Sequence, residues 1–316
     1  MARIAYLGPE GTFTEAALQQ ITAARLIPDE GPAGVQPSPV ESASAALDAV
    51  RDGAADYACV PIENSIDGSV TPTLDSLAIG SPLQVFAETT LDVAFSIVVK
   101  PGRSAADVRT LAAFGVAAAQ VRQWVAANLP DAALRPAYSN AEAAQQVAQG
   151  RVDAAVTSPL AATHWGLATL AEGVIDESNA RTRFLLVGRP APPPARTGAD
   201  RTSVVLRIDN APGALLAALA EFAVRGIDLT RIESRPTRTG LGTYRFFADC
   251  VGHIDDDAVA EALKALHRRC ADVRYLGSWP TGSPAGGLPP SAAEAARWLQ
   301  QLRDGKGDES AEGAQR

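Results

Sequence analysis

Four of the five residues from Pro190 to Pro194 are proline, and this run divides the chain. Proline fixes φ and lacks an amide hydrogen, so neither a helix interior nor a central strand continues through it. The segment Arg189–Asp200 is therefore expected to be an extended, semi-rigid linker. It separates an upstream domain, residues 1–188, from a downstream domain, residues 201–279, followed by a tail, 280–316. A length of 316 residues with 47% hydrophobic side chains supports a core on each side, since domains run to about 100–200 residues.

The two halves are patterned differently. Upstream, short apolar runs at Ile4–Leu7, Tyr57–Pro61, Leu83–Phe86, Phe95–Val99, Ala154–Thr157 and Phe184–Val187 predict strands. Alanine-rich stretches at Thr14–Ala24, Ser44–Asp52, Ala118–Ala127 and Ala141–Ala148 predict helices between them. That alternation argues for an α/β domain with a largely parallel sheet. Downstream, Thr202–Ile208, Ile227–Ser234, Thr243–Cys250 and Val273–Trp279 predict strands, with a turn at Thr239–Gly242. Helices are expected over Ala214–Val224 and Asp255–His267, the latter with Val259, Leu263 and Leu266 on one face. The order βαββαβ is the α+β ferredoxin-like unit. Beyond Trp279 a Pro/Gly/Ser stretch leads to a short helix near Ser291–Leu302 and a polar tail.

Charge excludes whole classes of function. Twenty-eight basic residues stand against 36 acidic ones, net −8, with no basic run, so no footprint for nucleic acid or an anionic membrane exists. No stretch of about 18 uncharged apolar residues predicts a membrane span. The N-terminal residues Met1–Gly8 run directly into a strand, and no leader is expected. Cys59, Cys250 and Cys270 lack CxxC spacing, so neither a disulfide framework nor a zinc site is indicated, and a cytoplasmic setting is expected.

Polar turns recur where strands hand over to helices. Gly8–Glu15 follows the first strand, with Thr12 and Glu15 at capping-box spacing; Ser139-Asn140-Ala141-Glu142 repeats that spacing. Thr157-Ser158-Pro159 places hydroxyls at a strand end, and Pro61–Ser69 is a polar loop carrying Glu63, Asn64 and Ser65. In open α/β sheets ligands bind at the strand ends, where helix N-termini favour anions. Thr12, Ser139, Asn140 and Thr157 are accordingly candidates for a small anionic ligand, although each also reads as an ordinary cap. The glycines Gly8 and Gly11 match neither a P-loop nor a dinucleotide fingerprint. In Asn179–Phe184 two arginines flank a hydroxyl before an apolar run, which offers a proton donor, a carboxylate fork and an apolar wall, or ordinary surface charge. His164, His253 and His267 belong to no metal spacing or triad.

At these residues the chain resembles the prephenate dehydratase family. The segments that carry the resemblance are Tyr6–Thr14, Val60–Ser65 with Gly68-Ser69-Val70, and Thr182-Arg183-Phe184. Residues Thr202–Trp279 resemble a regulatory ACT domain, with Pro212–Leu215 and Glu233–Pro236 where that family binds phenylalanine. The resemblance implies a two-lobed, periplasmic-binding-protein-like (type II) catalytic domain with its site between the lobes. It implies loss of water and carbon dioxide from prephenate to give phenylpyruvate, with no metal and no organic cofactor. The family's essential threonine falls on Thr182, with Arg183 and Phe184 completing the motif; Glu63, Asn64 and Ser65 match a second stretch and Thr12 the first. Where the family often carries a histidine after a Glu-x-x-Leu segment, Phe95 follows Glu88–Leu91 here. No chorismate mutase bundle precedes Tyr6, so another chain is expected to supply prephenate.

On this basis Thr182 is expected to hydrogen-bond to the departing hydroxyl, with Glu63 as the rival acid. Arg183 and helix-end amides would hold the carboxylates, and Phe184 would exclude water. Phenylalanine is expected at Asn210, Gly213, Ala214, Leu215, Glu233, Ser234 and Arg235, between paired ACT domains of a homodimer or tetramer. Arogenate dehydratase and a non-enzymatic amino-acid sensor are the alternatives left open by the sequence.

Overall fold

The computed structural model describes residues 1–28, 34–176, 180–238, 240, 242–282, 286–289 and 293–305, and the chain divides into two compact units, Met1–Pro192 and Pro193–Arg316. The first unit opens with β1 (Ala2–Leu7), α1 (Phe13–Ala23), β2 (Val35–Val40), α2 (Ala43–Arg51), β3 (Tyr57–Asn64), the short β4 (Gly68–Ser69), α3 (Thr71–Ala78) and β5 (Gln84–Asp92). A second lobe follows: β6 (Phe95–Val99), β7 (Thr110–Phe114), α4 (Gly115–Gln120), α5 (Arg122–Asn128), β8 (Ala133–Ala137), α6 (Asn140–Ala148), β9 (Ala154–Thr157), α7 (Pro159–His164) and β10 (Ala168–Val174). Then β11 (Arg181–Gly188) returns to the first sheet.

The sheets run β2-β1-β3-β11-β5 and β10-β6-β9-β7-β8, with β4 beside β3. Both are mixed rather than largely parallel. β1 is parallel to β2 and β3, but β11 is antiparallel to β3 and β5. In the second lobe β7 is parallel to β8 and β9, and β6 antiparallel to β9 and β10. The reversal follows from the path: the chain leaves the first sheet after β5 and re-enters it between strands already laid down. The Val93 amide donates to the Ala180 carbonyl at 2.7 Å, tying the outgoing and returning segments together.

Apolar runs fill the cores as their pattern requires. Ile4, Tyr6, Leu18, Ile21, Cys59 and Phe184 bury α1 against the first sheet. Phe95, Ile97, Val99, Leu111 and Val156 do the same in the second lobe. Phe95–Val99 and Ala154–Thr157 are strands with the predicted bounds. Besides the two-residue β4, four strands lie outside the sequence expectations. β2 and β8 are edge strands carrying Pro37, Pro39 and Pro136, which an edge tolerates; β7 and β10 are alanine-containing and weakly patterned. The single helix expected over Ala118–Ala127 is broken at Val121. There the Asp176 carboxylate accepts from the amides of Gln123 (2.7 Å) and Trp124 (3.2 Å) and caps α5 afresh.

The second unit comprises β12 (Asp200–Arg207), α8 (Ala214–Ala223), β13 (Leu229–Pro236), β14 (Tyr244–Val251), α9 (Asp257–Arg269), β15 (Asp272–Pro280) and α10 (Ala293–Arg303). Its antiparallel sheet, β13-β14-β12-β15, has the ferredoxin-like order. Val204, Leu206, Phe222, Val259, Ala262 and Leu266 form its core, with Leu263 at the margin. The linker is pinned at both ends. Within the first unit Arg189 donates to the Val50 carbonyl at 3.1 Å. Within the second, fully buried His253 meets the Pro194 carbonyl through Nε2 at 3.0 Å, and Arg196 pairs with Asp256 at 2.8 Å. Asn179, the turn residues Thr239 and Leu241, Ser291 and the tail from residue 306 lie outside the described residues. Among the described residues no helix is long and apolar enough to cross a membrane.

Gly11 has φ +87° and a Cβ there would lie 2.9 Å from both Cα and Cβ of Ala161. Gly11→Ala is expected to cost about 2 kcal/mol and lower the thermal midpoint by roughly 5 °C. Gly102→Ala, at φ +82° with open space around it, should cost clearly less by the same calorimetric measurement.

Candidate active site

The returning strand β11 places Thr182 opposite Asn64 and Arg183 opposite Glu63; a bulge then sets Phe184 against Pro61. Asn64 Nδ2 donates to Thr182 Oγ1 at 2.9 Å. The amide cannot turn over freely, because its Oδ1 accepts from the backbone amides of Ile66 (2.8 Å) and Asp67 (2.9 Å) in an Asx-type turn. With Oγ1 accepting from Asn64, the Thr182 hydroxyl proton is the part left to donate to a ligand.

Thr182 and Phe184 form one wall of a cavity of about 730 Å³ between the two lobes of the first unit, a size suited to a small molecule. The first lobe adds Pro61, Gly8, Pro9, Pro39, Glu41 and the start of α1, Thr12 to Thr14; the second adds Phe114, Tyr138, Ser139, Asn140 and Glu142. Both helix starts carry the expected hydroxyl caps, but each glutamate reaches back to the amide of the residue before the cap rather than to the cap residue's own. Thr12 Oγ1 accepts from Glu15 N at 3.3 Å while Glu15 accepts from Gly11 N at 2.6 Å. Ser139 Oγ accepts from Glu142 N at 3.0 Å while Glu142 accepts from Tyr138 N at 2.6 Å. The caps fix the N-terminal turns of α1 and α6, whose first residues line the cavity beside the carboxylates Glu41 and Glu142. No lysine, arginine or histidine stands among the lining residues. Asn140 Oδ1 is buried and has no hydrogen-bond partner among the described residues.

The remaining candidates sit behind this wall rather than in it. Arg183 points to the opposite face of the sheet, as strand alternation dictates. Its guanidinium meets Glu63 Oε2 and Glu88 Oε2, each at 3.2 Å. The expected carboxylate fork is therefore engaged by the protein's own carboxylates, and Glu63 is held as its partner instead of lining the cavity. Thr157 is fully buried and donates to the Asn140 carbonyl at 2.6 Å, anchoring the start of α6. Ser65 accepts from the Arg181 amide at 2.9 Å and ties the loop to β11. Phe95 packs edge-to-face on Phe13 at 5.8 Å and so supports the lining. Ser158, the cap of α7, donates to the Gly11 carbonyl at 2.5 Å and joins the lobes.

Two groups beneath the site, Tyr6 and Cys59, stay neutral. Burial, reinforced by Glu15, pushes the Tyr6 phenol upward; burial pushes the Cys59 thiol up to about 12. Thr14, Glu41, Phe114 and Tyr138 line the cavity without having stood out in the sequence. Thr14 and Tyr138 flank recognised caps, a signal available in principle, whereas Glu41 follows the proline-bearing β2. Among the described residues no group of three or more His, Cys, Asp or Glu is arranged to hold a metal ion.

In the second unit Gly213 caps α8 in the left-handed region, φ 78°, so Ala214 and Leu215 open the helix behind the Asn210 turn. Glu233, Ser234 and Arg235 lie on β13, an edge strand. Ser234 pairs with Phe246 on the helix-covered face, while Glu233 and Arg235 pair with Phe247 and Arg245 on the other. Of the seven residues only Glu233, Ser234 and Arg235 lie on the sheet, where they alternate between its two faces.

Two lobes around a cleft bordered by capped helix starts define a periplasmic-binding-protein-like (type II) domain, here followed by a ferredoxin-like unit. A family model for prephenate dehydratase matches residues 4–192, and one for the ACT domain matches residues 202–268. The chain is 85% identical over 306 residues to the prephenate dehydratase of Mycobacterium avium (strain 104), covering 97% of each. It is 80% identical over 310 residues to that of Mycobacterium tuberculosis (strain ATCC 25618 / H37Rv), covering 98% of this chain and 97% of the relative. It is similar to the crystal structure of prephenate dehydratase from Arthrobacter aurescens in complex with L-Phe, with a TM-score of 0.85 and 41% identity over 96% of this chain and 99% of that one. The chain belongs to the prephenate dehydratase family, lyases that remove water and carbon dioxide from prephenate.

Asn64→Asp preserves the acceptor for Ile66 and Asp67 but replaces the donor to Thr182 with an acceptor. The Thr182 proton then turns toward Asp and away from the cleft. A fall of about 10²-fold in kcat with an unchanged circular dichroism spectrum is expected, measured as phenylpyruvate formation.

Proposed function

We propose that residues 1–188 carry the dehydratase site with Thr182 as the donor to the departing oxygen, and that residues 201–279 form a phenylalanine-responsive regulatory domain. The observation that carries the first part is the Asn64–Thr182 hydrogen bond, which leaves the threonine proton free at the cavity wall. Prephenate carries a ring carboxylate and a pyruvyl carboxylate. As the bond to the ring carboxylate breaks, its electron pair enters the ring, carbon dioxide leaves, and the ring carbon–oxygen bond breaks. The departing hydroxyl takes up one proton and leaves as water, and aromatisation drives the change. A threonine hydroxyl is a poor acid in bulk water, so its contribution is a hydrogen bond that strengthens as negative charge builds on the departing oxygen.

Two helix ends suit two carboxylates. The leading amides of α1 and α6 supply positive potential from both lobes, and Phe13, Phe114 and Phe184 offer an apolar enclosure for the ring. Thr182→Ala is expected to lower kcat by about 10²–10³-fold and Thr182→Ser to keep most of it; full activity in purified Thr182→Ala would remove the threonine from the mechanism.

In the second unit, the turn before α8 provides a helix start for an amino-acid carboxylate, and the Arthrobacter relative's complex with L-Phe supports phenylalanine as that ligand. Because the β13 candidates alternate between its two faces and β13 is an open edge, a second copy paired along β13 would complete the site. Leu216 and Val224 on α8 and Ile232 on β13 are 72%, 76% and 48% exposed, which suits such pairing into a homodimer or larger assembly. The three free cysteines support a reducing, cytoplasmic setting. Inhibition requires phenylalanine to bind the less active state more tightly. Calorimetric titration of the full chain is expected to show phenylalanine binding together with lowered turnover; silence in both measurements would end the regulatory assignment.

A further inference from the structure

We propose that Glu88, on β5, is a positioning residue for the dehydration: through Arg183 it holds β11 in the register that keeps Thr182 on Asn64. The proposal rests on Thr182 being the donor to the departing oxygen.

The β3–β11 ladder is defective where the site needs it most. Pro61 has no amide hydrogen to give, and the bulge between Arg183 and Phe184 skips a residue of β3. One rung away, Asn64 and Thr182 must stay 2.9 Å apart. Arg183 is the immediate neighbour of Thr182 and Glu63 that of Asn64, so their ion pair is the next rung of the same ladder, on the opposite face. Glu88 brings in the third strand: its carboxylate takes Arg183 Nη1 at 3.2 Å, so one guanidinium stitches β3, β11 and β5 together.

Burial singles out Glu88 within this triad. Its side chain is 7% exposed, against 40% for Glu63. It follows Val85, Phe86 and Ala87, all buried, on a strand whose core requires no charge. A buried carboxylate–guanidinium network adds little net stability, because desolvation offsets the attraction, but it fixes geometry sharply. Its place here is under the one hydrogen bond that aims the threonine proton.

The test is a double-mutant cycle on the full chain. Glu88→Gln keeps size and an acceptor oxygen while removing the charge. In the otherwise unchanged protein it should lower kcat about 10-fold with KM within about 2-fold, as expected of a small misplacement at a reacting group. In the Thr182→Ala background it should change the residual rate less than about 2-fold, since nothing remains to be positioned. A merely structural glutamate would give the same fold-loss in both backgrounds. That result, or an unchanged kcat, overturns the proposal while leaving Thr182 in place. Full activity in Thr182→Ala instead removes the Thr182 assignment and Glu88 with it. If Glu88→Gln does not fold, Glu63→Gln, on the exposed side of the same guanidinium, is read by the same cycle with the same criteria.

Discussion

The hydrogen bond between Asn64 and Thr182 joins residues 118 positions apart, and most of the first unit can be understood as what is needed to make it. The chain must lay down β1 to β5, leave to form a second lobe, and come back as β11 between β3 and β5. That return forces the sheet to be mixed, puts Thr182 beside the crossover segments at the base of the cleft, and makes the second lobe the opposite wall. Strand alternation then separates two adjacent residues: Thr182 faces the cavity, and Arg183 faces the sheet's own carboxylates.

Among the described residues the cleft lining carries no basic side chain, and two capped helix starts border it from different lobes. The capping glutamates, Glu15 and Glu142, are occupied by backbone amides, so their charge completes the cap. Lobe-to-lobe contact at Ser158 and Gly11 sits beside the α1 cap.

Much of this was legible in the residues. The hydroxyl caps at Thr12 and Ser139 and the βαββαβ order follow from local chemistry, and the three motifs at Tyr6, Val60 and Thr182 lie on elements that meet at the cavity. What sequence could not supply was orientation. Arg183 resembles a substrate-facing fork until the pairing of β11 with β3 and β5 shows which face it takes, and that pairing depends on contacts distant in the chain. Thr157 reads as a ligand hydroxyl for the same reason, although it is consumed by the carbonyl of Asn140. β2 was hidden because prolines are permitted on an edge strand, and Glu41 was hidden with it. The helix break at Val121 depends on Asp176, more than fifty residues on.

The helix-end cradle has a further consequence for how such a site can change over time. Charge supplied by peptide groups has no codon of its own. A site that grips carboxylates with arginines can lose its grip through one missense change, whereas the amides leading α1 and α6 persist under nearly every replacement that leaves the helix intact. Only proline, which deletes an amide outright, or loss of the caps that aim the turn, reaches them. Under the proposed binding mode, genetic variation in the cleft wall is free to reshape the apolar surroundings of the ring while the hold on its anionic groups is inherited with the backbone.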